Sequence, residues 1–450
     1  MTTESNPVMA EQPCVVLDGV FFQFRDRSGI GRVWSSLLEE WSGTTFGQSL
    51  VVLDRDGAVP KFPGISYLPF QNYYSGLAAS ESFALEDVCR RYHAKLFIST
   101  FHTTPLETAS VAMVHDLIPE RCPSIEPKKW RQEKRFTTYH ARGYVAVSHR
   151  TAQDLHEVYP TTKDAPFCIA HNGVSTRFCP VPSEVVQRFK KTYGITKPYF
   201  LCVGRRNAHK NGRLFFDAFS RLPDRIGLSI VCCGVQQTLE PESRTCVEGN
   251  EVHMLNLPDE DLNAAYAGAL ALVYPSKYEG FGLPIVEAMA AGCPVITCRN
   301  GSIPEIAGAA VLYVDDSDVA GMVRALIDIR NSDIRDPLIQ AGFQRCRLFS
   351  WSNTAQIVGS FLTEMARRDH SLPEVGRPDS SRCWRELRSV ERQFDSTSPR
   401  LQELLQVPEL QRHMRQLDGT SRTLEELESI WLESIAEENG KFYQGAGKSA

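Results

Sequence analysis

The segment Tyr278-Glu-Gly-Phe-Gly-Leu-Pro-Ile-Val-Glu-Ala-Met-Ala-Ala-Gly292 concentrates groups suited to a phosphorylated, hydroxyl-rich ligand. Gly280 and Gly282 permit a tight loop whose backbone can come close to that ligand. Pro284 suits the first turn of a helix and Gly292 the position just past its end. The helix start therefore turns free N–H groups toward the loop, a favourable place for phosphate. Glu279 and Glu287 flank that helix start, and carboxylates there are not the phosphate's partners. They suit hydroxyls, because an ionised carboxylate can accept two hydrogen bonds from a diol. A sugar nucleotide needs this combination: an acid for the sugar, an acid for the ribose and amides for the diphosphate. Charge complementing the helix dipole would account for a carboxylate near the first turn. It would not account for the Gly-Phe-Gly loop between the two.

Other groups carry weaker signals. The loop Val203-Gly-Arg-Arg-Asn-Ala-His-Lys-Asn211 is basic, and read alone it is a solvated surface loop. The pattern Asp-x-Asp occurs as Asp54-Arg-Asp56 and as Asp316-Ser-Asp318, and finding it twice shows how little it specifies. Asp56-Gly57 is more simply a turn, so no metal is expected. Ser302-Ile-Pro-Glu305 reads as a capping box, which helix capping explains fully. Ser148 reads as a helix N-cap and Asn172-Gly173 as a turn.

These residues need a frame to position them. A chain of 450 residues should hold two or three domains. Its 42% hydrophobic and 23% charged residues exclude a wholly disordered, collagen-like or membrane-spanning chain. A net charge of −5 argues against nucleic acid as the main partner. Thirteen cysteines without a C-x-x-C pair show neither zinc spacing nor a disulfide framework, and read as reduced thiols of a cytoplasmic protein. The start, Met1 to Pro13, is polar and lacks the apolar run of a signal peptide.

Short apolar runs at Cys14–Asp18, 49–53, 95–99, 110–114, 144–147 and 167–170 alternate with helical spacing, as in a doubly wound parallel sheet. After a break at Cys179-Pro-Val-Pro-Ser183 the pattern restarts, with strands expected at 199–204, 228–234, 252–255, 271–274, 295–298 and 311–314. The expected organisation is α/β, with domains 1–180 and 181–367 facing a cleft and a helical or partly disordered extension over 368–450. Helical patches 401–417 and 424–438 lie in that extension. Ligands of such sheets bind at the carboxyl ends of the strands.

The Tyr278–Gly292 segment resembles the signature of the family-four retaining glycosyltransferases of GT-B fold, with its two glutamates separated by seven residues. The basic loop 203–211, Val114-His-Asp-Leu-Ile-Pro119, Val145-Ala-Val-Ser148, His171-Asn-Gly-Val174 and Asn300-Gly-Ser-Ile-Pro-Glu305 resemble further family motifs in the family's order. The resemblance covers about 14–366 and implies two Rossmann-like halves, the second for the donor and the first for the acceptor. By position, it implies that Glu287 holds the donor ribose and Glu279 the transferred sugar, with Gly280, Phe281, Gly282 and Leu283 lining the donor. It implies that Arg205 and Lys210 neutralise the leaving diphosphate, although His209 stands where many relatives carry arginine. It places His115 against the donor sugar, Asp116 as a brace of the same loop, Gly29 and Gly31 in the first strand–helix loop near phosphates or acceptor, and Gly301 beside the diphosphate. The final family helix, near Trp351 to Arg367, is expected to cross back to the first half.

The implied activity is retaining transfer of a hexose from a nucleoside-diphosphate sugar to a hydroxyl acceptor, in glycan, polysaccharide or glycolipid synthesis and of mannosyltransferase type. GDP-mannose, UDP-glucose and UDP-N-acetylglucosamine all fit the framework as donors, without cofactor or metal. A same-fold epimerase or phosphorylase, or a non-catalytic sugar-nucleotide scaffold, are the alternatives. Lys128, Arg131, Arg135 and Arg142 share a face near Lys129, Trp130 and Lys134, which is a candidate peripheral contact with anionic lipid or an acidic acceptor. The sequence does not specify an oligomeric state.

Overall fold

The computed structural model describes residues 14–24, 29–73, 78–121, 128–204, 208–234, 238–368 and 370. Two all-parallel sheets organise them. The first contains β1 (Val15–Asp18), β2 (Leu50–Arg55), β3 (Ser66–Phe70), β4 (Leu96–Ser99), β5 (Ser110–Val114), β6 (Gly143–Ala146) and β7 (Phe167–Ile169). Its strand order is β3-β2-β1-β4-β5-β6-β7. The second contains β8 (Tyr199–Val203), β9 (Ser229–Cys233), β10 (Glu251–Leu255), β11 (Ala271–Tyr274), β12 (Val295–Cys298) and β13 (Leu312–Val314), in the order β10-β9-β8-β11-β12-β13.

Central strands such as β1, β4, β5, β9 and β11 are buried at every residue. That is why they read as unbroken apolar runs rather than alternating ones. β3 departs from this pattern. It is an edge strand, half exposed, and carries Pro69, which cannot donate to a ladder; sequence patterning gives no strand there.

Each sheet reverses its winding once, between β1 and β4 in the first and between β8 and β11 in the second. Loops leaving two adjacent strands diverge at such a point and open a crevice at their carboxyl ends.

The lobes share apolar packing. Phe281, Leu283, Val286 and Ile306 of the second lobe join Trp34, Leu37 and Leu38 of the first in one buried cluster. The helix Trp351–Arg367 returns to the first lobe, as expected. Trp351, Val358, Phe361, Leu362 and Met365 enter the same cluster, and the Trp41 indole N–H donates to the Ala355 carbonyl at 2.9 Å. Among the described residues no helix is long and apolar enough to cross a membrane. The helical patches expected at 401–417 and 424–438 lie outside the described residues.

Candidate active site at the inter-lobe crevice

The winding reversal of the second sheet sends two chains into the crevice. The chain leaving β8 reaches Lys210, and the chain leaving β11 reaches Glu279. Their side chains meet: Lys210 Nζ lies 2.6 Å from Glu279 Oε1 and donates at 2.7 Å to the hydroxyl of Tyr274, the last residue of β11. Glu279 is 6% exposed overall, whereas the Lys210 side chain keeps 22% of its surface, so the cation is the open member of the pair. Burial, and then the Glu279 charge, hold the Tyr274 phenol far above its usual range, so it remains a neutral donor. His209 is buried beside them and kept neutral, first by burial and then by Lys210. Arg205, the other cation expected here, lies outside the described residues.

The loop 278–282 is fixed from both lobes. Gly280 runs so close to the first lobe that a Cβ on it would lie 1.8 Å from the His115 carbonyl oxygen. Only glycine fits there. The Gly280 carbonyl accepts from the Ser148 hydroxyl at 2.7 Å and the Thr151 hydroxyl at 3.0 Å. Ser148 is also the N-cap of the helix His149–Val158, as its sequence implied. Gly301, in the left-handed region at φ 57°, packs against the Glu279 backbone. Ser302 donates to the carbonyls of Glu279 and Phe281, both at 3.1 Å. Phe281 turns its ring into the shared apolar cluster, 5.5 Å from Phe349 between ring centres. Gly282 is the N-cap of the helix Leu283–Ala290.

His115 follows β5 at the carboxyl edge of the first sheet. Its Nε2 is buried and has no partner among the described residues. Burial lowers its pKa to about 4, with Asp116 opposing and Lys134 adding to the shift, so the imidazole is neutral near pH 7. Asp116 braces the loop by accepting from the Ile118 amide at 3.0 Å.

Glu287 lies one turn into its helix, 4% exposed, with its carboxylate at the lobe boundary. Tyr266 donates to Oε2 at 3.0 Å, and Arg32 of the first lobe brings Nε to 3.4 Å from Oε1. Burial raises the Glu287 carboxyl, with Arg32 and Tyr266 opposing. Gly29 and Gly31 do not sit in a loop as expected. The helix begins at Gly29, four residues before the apolar run at Val33, and both glycines form its first turn. A Cβ on Gly29 would lie 3.3 Å from Leu283, so the first turn of this helix abuts the start of the glutamate helix.

Several sequence assignments change. Glu305 closes no capping box, and Ser302 makes no side-chain cap to its own helix. Glu305 instead reaches the other lobe and accepts from the amides of His149 (2.8 Å) and Arg150 (3.1 Å) and from His171 Nε2 (2.6 Å). Burial, which is partial here, pushes its carboxyl up, but these bonds hold it below the usual range. His149, His171 and Glu305 place ligand-type atoms within 4.8 Å of one another, and the bonds already made identify the group as an inter-lobe strap.

Asp316 accepts from Asn300, and Asp318 caps the helix Val319–Asp328, so both have structural partners. On the helix Lys128–His140, Lys134 faces inward and bonds the Asp116 carbonyl and Glu120 rather than joining a surface patch. Arg135 lies against Tyr139. The side chains of Lys128, Lys129 and Trp130 lie outside the described residues.

Sequence reasoning missed Arg32, Tyr266, Asp259 and the Glu305 strap. Tyr274 was legible in principle, as the last residue of a strand flanking the winding reversal.

Two doubly wound lobes with their carboxyl edges turned to one crevice, and acids and a cation gathered at the second lobe's reversal, define the GT-B architecture. Residues 185–345, in the second lobe, match the family model described as glycosyl transferases group 1. O-antigen chain mannosyltransferase B of Escherichia coli is 33% identical over 192 residues, covering 40% of this chain and 50% of that protein. O-antigen chain mannosyltransferase RfbU of Salmonella typhimurium is 26% identical over 286 residues, covering 62% of this chain and 77% of that one. The match thus spans half of the first relative's length and three quarters of the second's. Sucrose-phosphate synthase from Thermosynechococcus elongatus shares the fold, with TM-score 0.63 at 17% identity over 78% of this chain and 99% of that one.

Proposed function

We propose that the protein is a retaining glycosyltransferase that moves mannose from a nucleoside-diphosphate donor to a hydroxyl of a growing glycan. The observation that carries this reading is the meeting of Lys210 and Glu279 at the winding reversal of the second sheet, closed over by the first lobe's His115. Mannose is favoured by the two mannosyltransferase relatives. In this account Lys210 faces the diphosphate together with the start of the helix Leu283–Ala290. Glu279 accepts from hydroxyls of the sugar through the oxygen that Lys210 leaves free. Glu287 holds the ribose, with Gly280, Gly282 and Leu283 lining the donor. Arg205 belongs to the same basic loop and adds a second cation.

Departure of the diphosphate puts negative charge on the leaving oxygen and positive charge on the sugar ring. Preorganised cations and amides stabilise the first, and each such donor is worth about 3 kcal/mol in comparable sites. The neutral His115 accepts or relays the proton of the attacking hydroxyl. Retention is what the family resemblance implies, and with no carboxylate assigned as a nucleophile, attack and departure are assigned to one face of the sugar. These groups neutralise the diphosphate without a metal ion, and transfer should persist in chelator. The first lobe binds the acceptor.

The test is release of nucleoside diphosphate from GDP-mannose, UDP-glucose and UDP-N-acetylglucosamine, with and without mannose-containing oligosaccharide acceptors. Acceptor-dependent release from the mannose donor, with an α-linked product, is expected. Acceptor-independent turnover, or conversion of the donor to its epimer, would contradict the proposal.

A further inference from the structure

Arg32 is a first-lobe residue whose partners all lie outside the first sheet. It grips Asp259 with both terminal nitrogens, NH1 to Oδ2 at 3.0 Å and NH2 to Oδ1 at 2.8 Å. Its Nε faces Glu287 Oε1 at 3.4 Å, and its guanidinium carbon lies 5.2 Å from the centre of the Phe178 ring. The two-pronged grip on Asp259 fixes the plane of the guanidinium, a geometry that lysine cannot reproduce. With that plane fixed, the guanidinium charge is held beside Glu287, with Nε 3.4 Å from Oε1. Tyr266 holds the opposite oxygen of the same carboxylate.

A carboxylate this deeply buried tends to take up a proton, and a protonated acid is a poorer acceptor for a diol. A guanidinium is always charged and opposes that uptake. Each Glu287 oxygen retains acceptor capacity after these contacts. On the reading given under Proposed function, those remaining sites are the ribose sites.

We propose that Arg32 is the positioning residue for nucleotide ribose recognition: it holds Glu287 ionised and oriented from the opposite lobe. Recognition of the 2′,3′-diol then depends on the arrangement of the two lobes as well as on the second lobe's own residues. Asp259 takes part by holding Arg32, without meeting the nucleotide.

The experiment is isothermal titration of the full chain with GDP and UDP and with their 2′,3′-dideoxy analogues, for wild type, Arg32→Ala, Arg32→Lys and Asp259→Asn. Hydrogen bonds to a charged group correspond to about tenfold or more in affinity. Wild type should therefore prefer the ribose form of its diphosphate by about tenfold or more. Arg32→Ala should lower affinity for the ribose form to that of the dideoxy form, leaving the dideoxy form within about twofold, because the two changes remove the same interaction. Arg32→Lys should not restore the preference, and Asp259→Asn should narrow it. A merely structural role would weaken both ligand forms alike and leave their ratio unchanged, and that result overturns the proposal. Should Arg32→Ala fail to fold, Asp259→Asn decides by the same ratio. A wild-type chain that binds neither diphosphate contradicts the donor reading itself, which is a different outcome from an unchanged ratio.

Discussion

Each sheet carries ionised side chains at its winding reversal, and the two sets are treated oppositely. In the first lobe Asp18 ends β1 and Arg55 ends β2. Arg55 Nε meets Asp18 at 2.8 Å, and Arg55 NH1 meets Glu81 at 2.7 Å, with the arginine stacked 4.7 Å from the centre of the Phe70 ring. All three are sealed, with side-chain exposures of 0%, 0% and 2% for Arg55, Asp18 and Glu81. In the second lobe Lys210 keeps 22% of its side-chain surface open. Charge at a reversal point is therefore not itself a sign of chemistry. What separates a brace from a site is whether a member of the group still faces the crevice.

That contrast can be broken by substitution. Arg55→Met should strand two buried carboxylates, and losing one partner of a buried pair costs about 3–5 kcal/mol. Chemical denaturation should register this as the largest stability loss of the set. Glu279→Gln should do the reverse. Turnover should fall by about a hundredfold to a thousandfold, the scale seen when one preorganised polar group is lost, while the denaturation midpoint moves little. Equal stability losses in the two variants would erase the distinction.

The inter-lobe strap sharpens the comparison, because it lies between brace and site. Glu305 titrates below its ordinary value in the folded chain. Its contribution is complete above the unfolded carboxyl pKa, near 4.5, and is lost as pH falls through the lower folded value. Glu305→Gln should cost about 1–2 kcal/mol at neutral pH and flatten the acid limb of stability against pH. An unaltered acid limb would remove Glu305 from the account.

A further effect concerns His115. Its folded pKa, about 4, lies below the unfolded value of about 6.5. As pH falls below 6.5 the unfolded chain takes up the proton first, so stability drops between about 6.5 and 4. Turnover should therefore show no limb near pH 6.5 that disappears in His115→Gln. Such a limb would mean that the imidazole is not buried as described.

Much of this frame was legible in the sequence. Strands buried on both faces declare themselves as apolar runs, so every strand but β3 was found; Pro69 and an exposed edge disguised that one. Lys210 and Glu279 were reached through the family resemblance, since the basic loop read alone was a solvated surface loop. The inter-lobe partners were not. Arg32 and Asp259 are 227 positions apart, and Glu305 and His149 are 156 apart. No local periodicity records a contact made only when two lobes face each other. For the same reason Glu305 took its local meaning, a capping box, although its carboxylate is spent on the other lobe's helix. Gly29 and Gly31 were misplaced because glycine is a poor helix former. The packing of Gly29 against Leu283, which only the fold shows, outweighs that propensity.

The central claim is that the open cation at the second lobe's reversal grips a diphosphate. Isothermal titration of GDP and UDP into wild type and Lys210→Ala tests it most directly. One diphosphate should bind wild type and lose about tenfold or more in affinity in the variant, the scale of a charge-assisted contact. Undiminished binding by Lys210→Ala, or no binding by wild type, would contradict it.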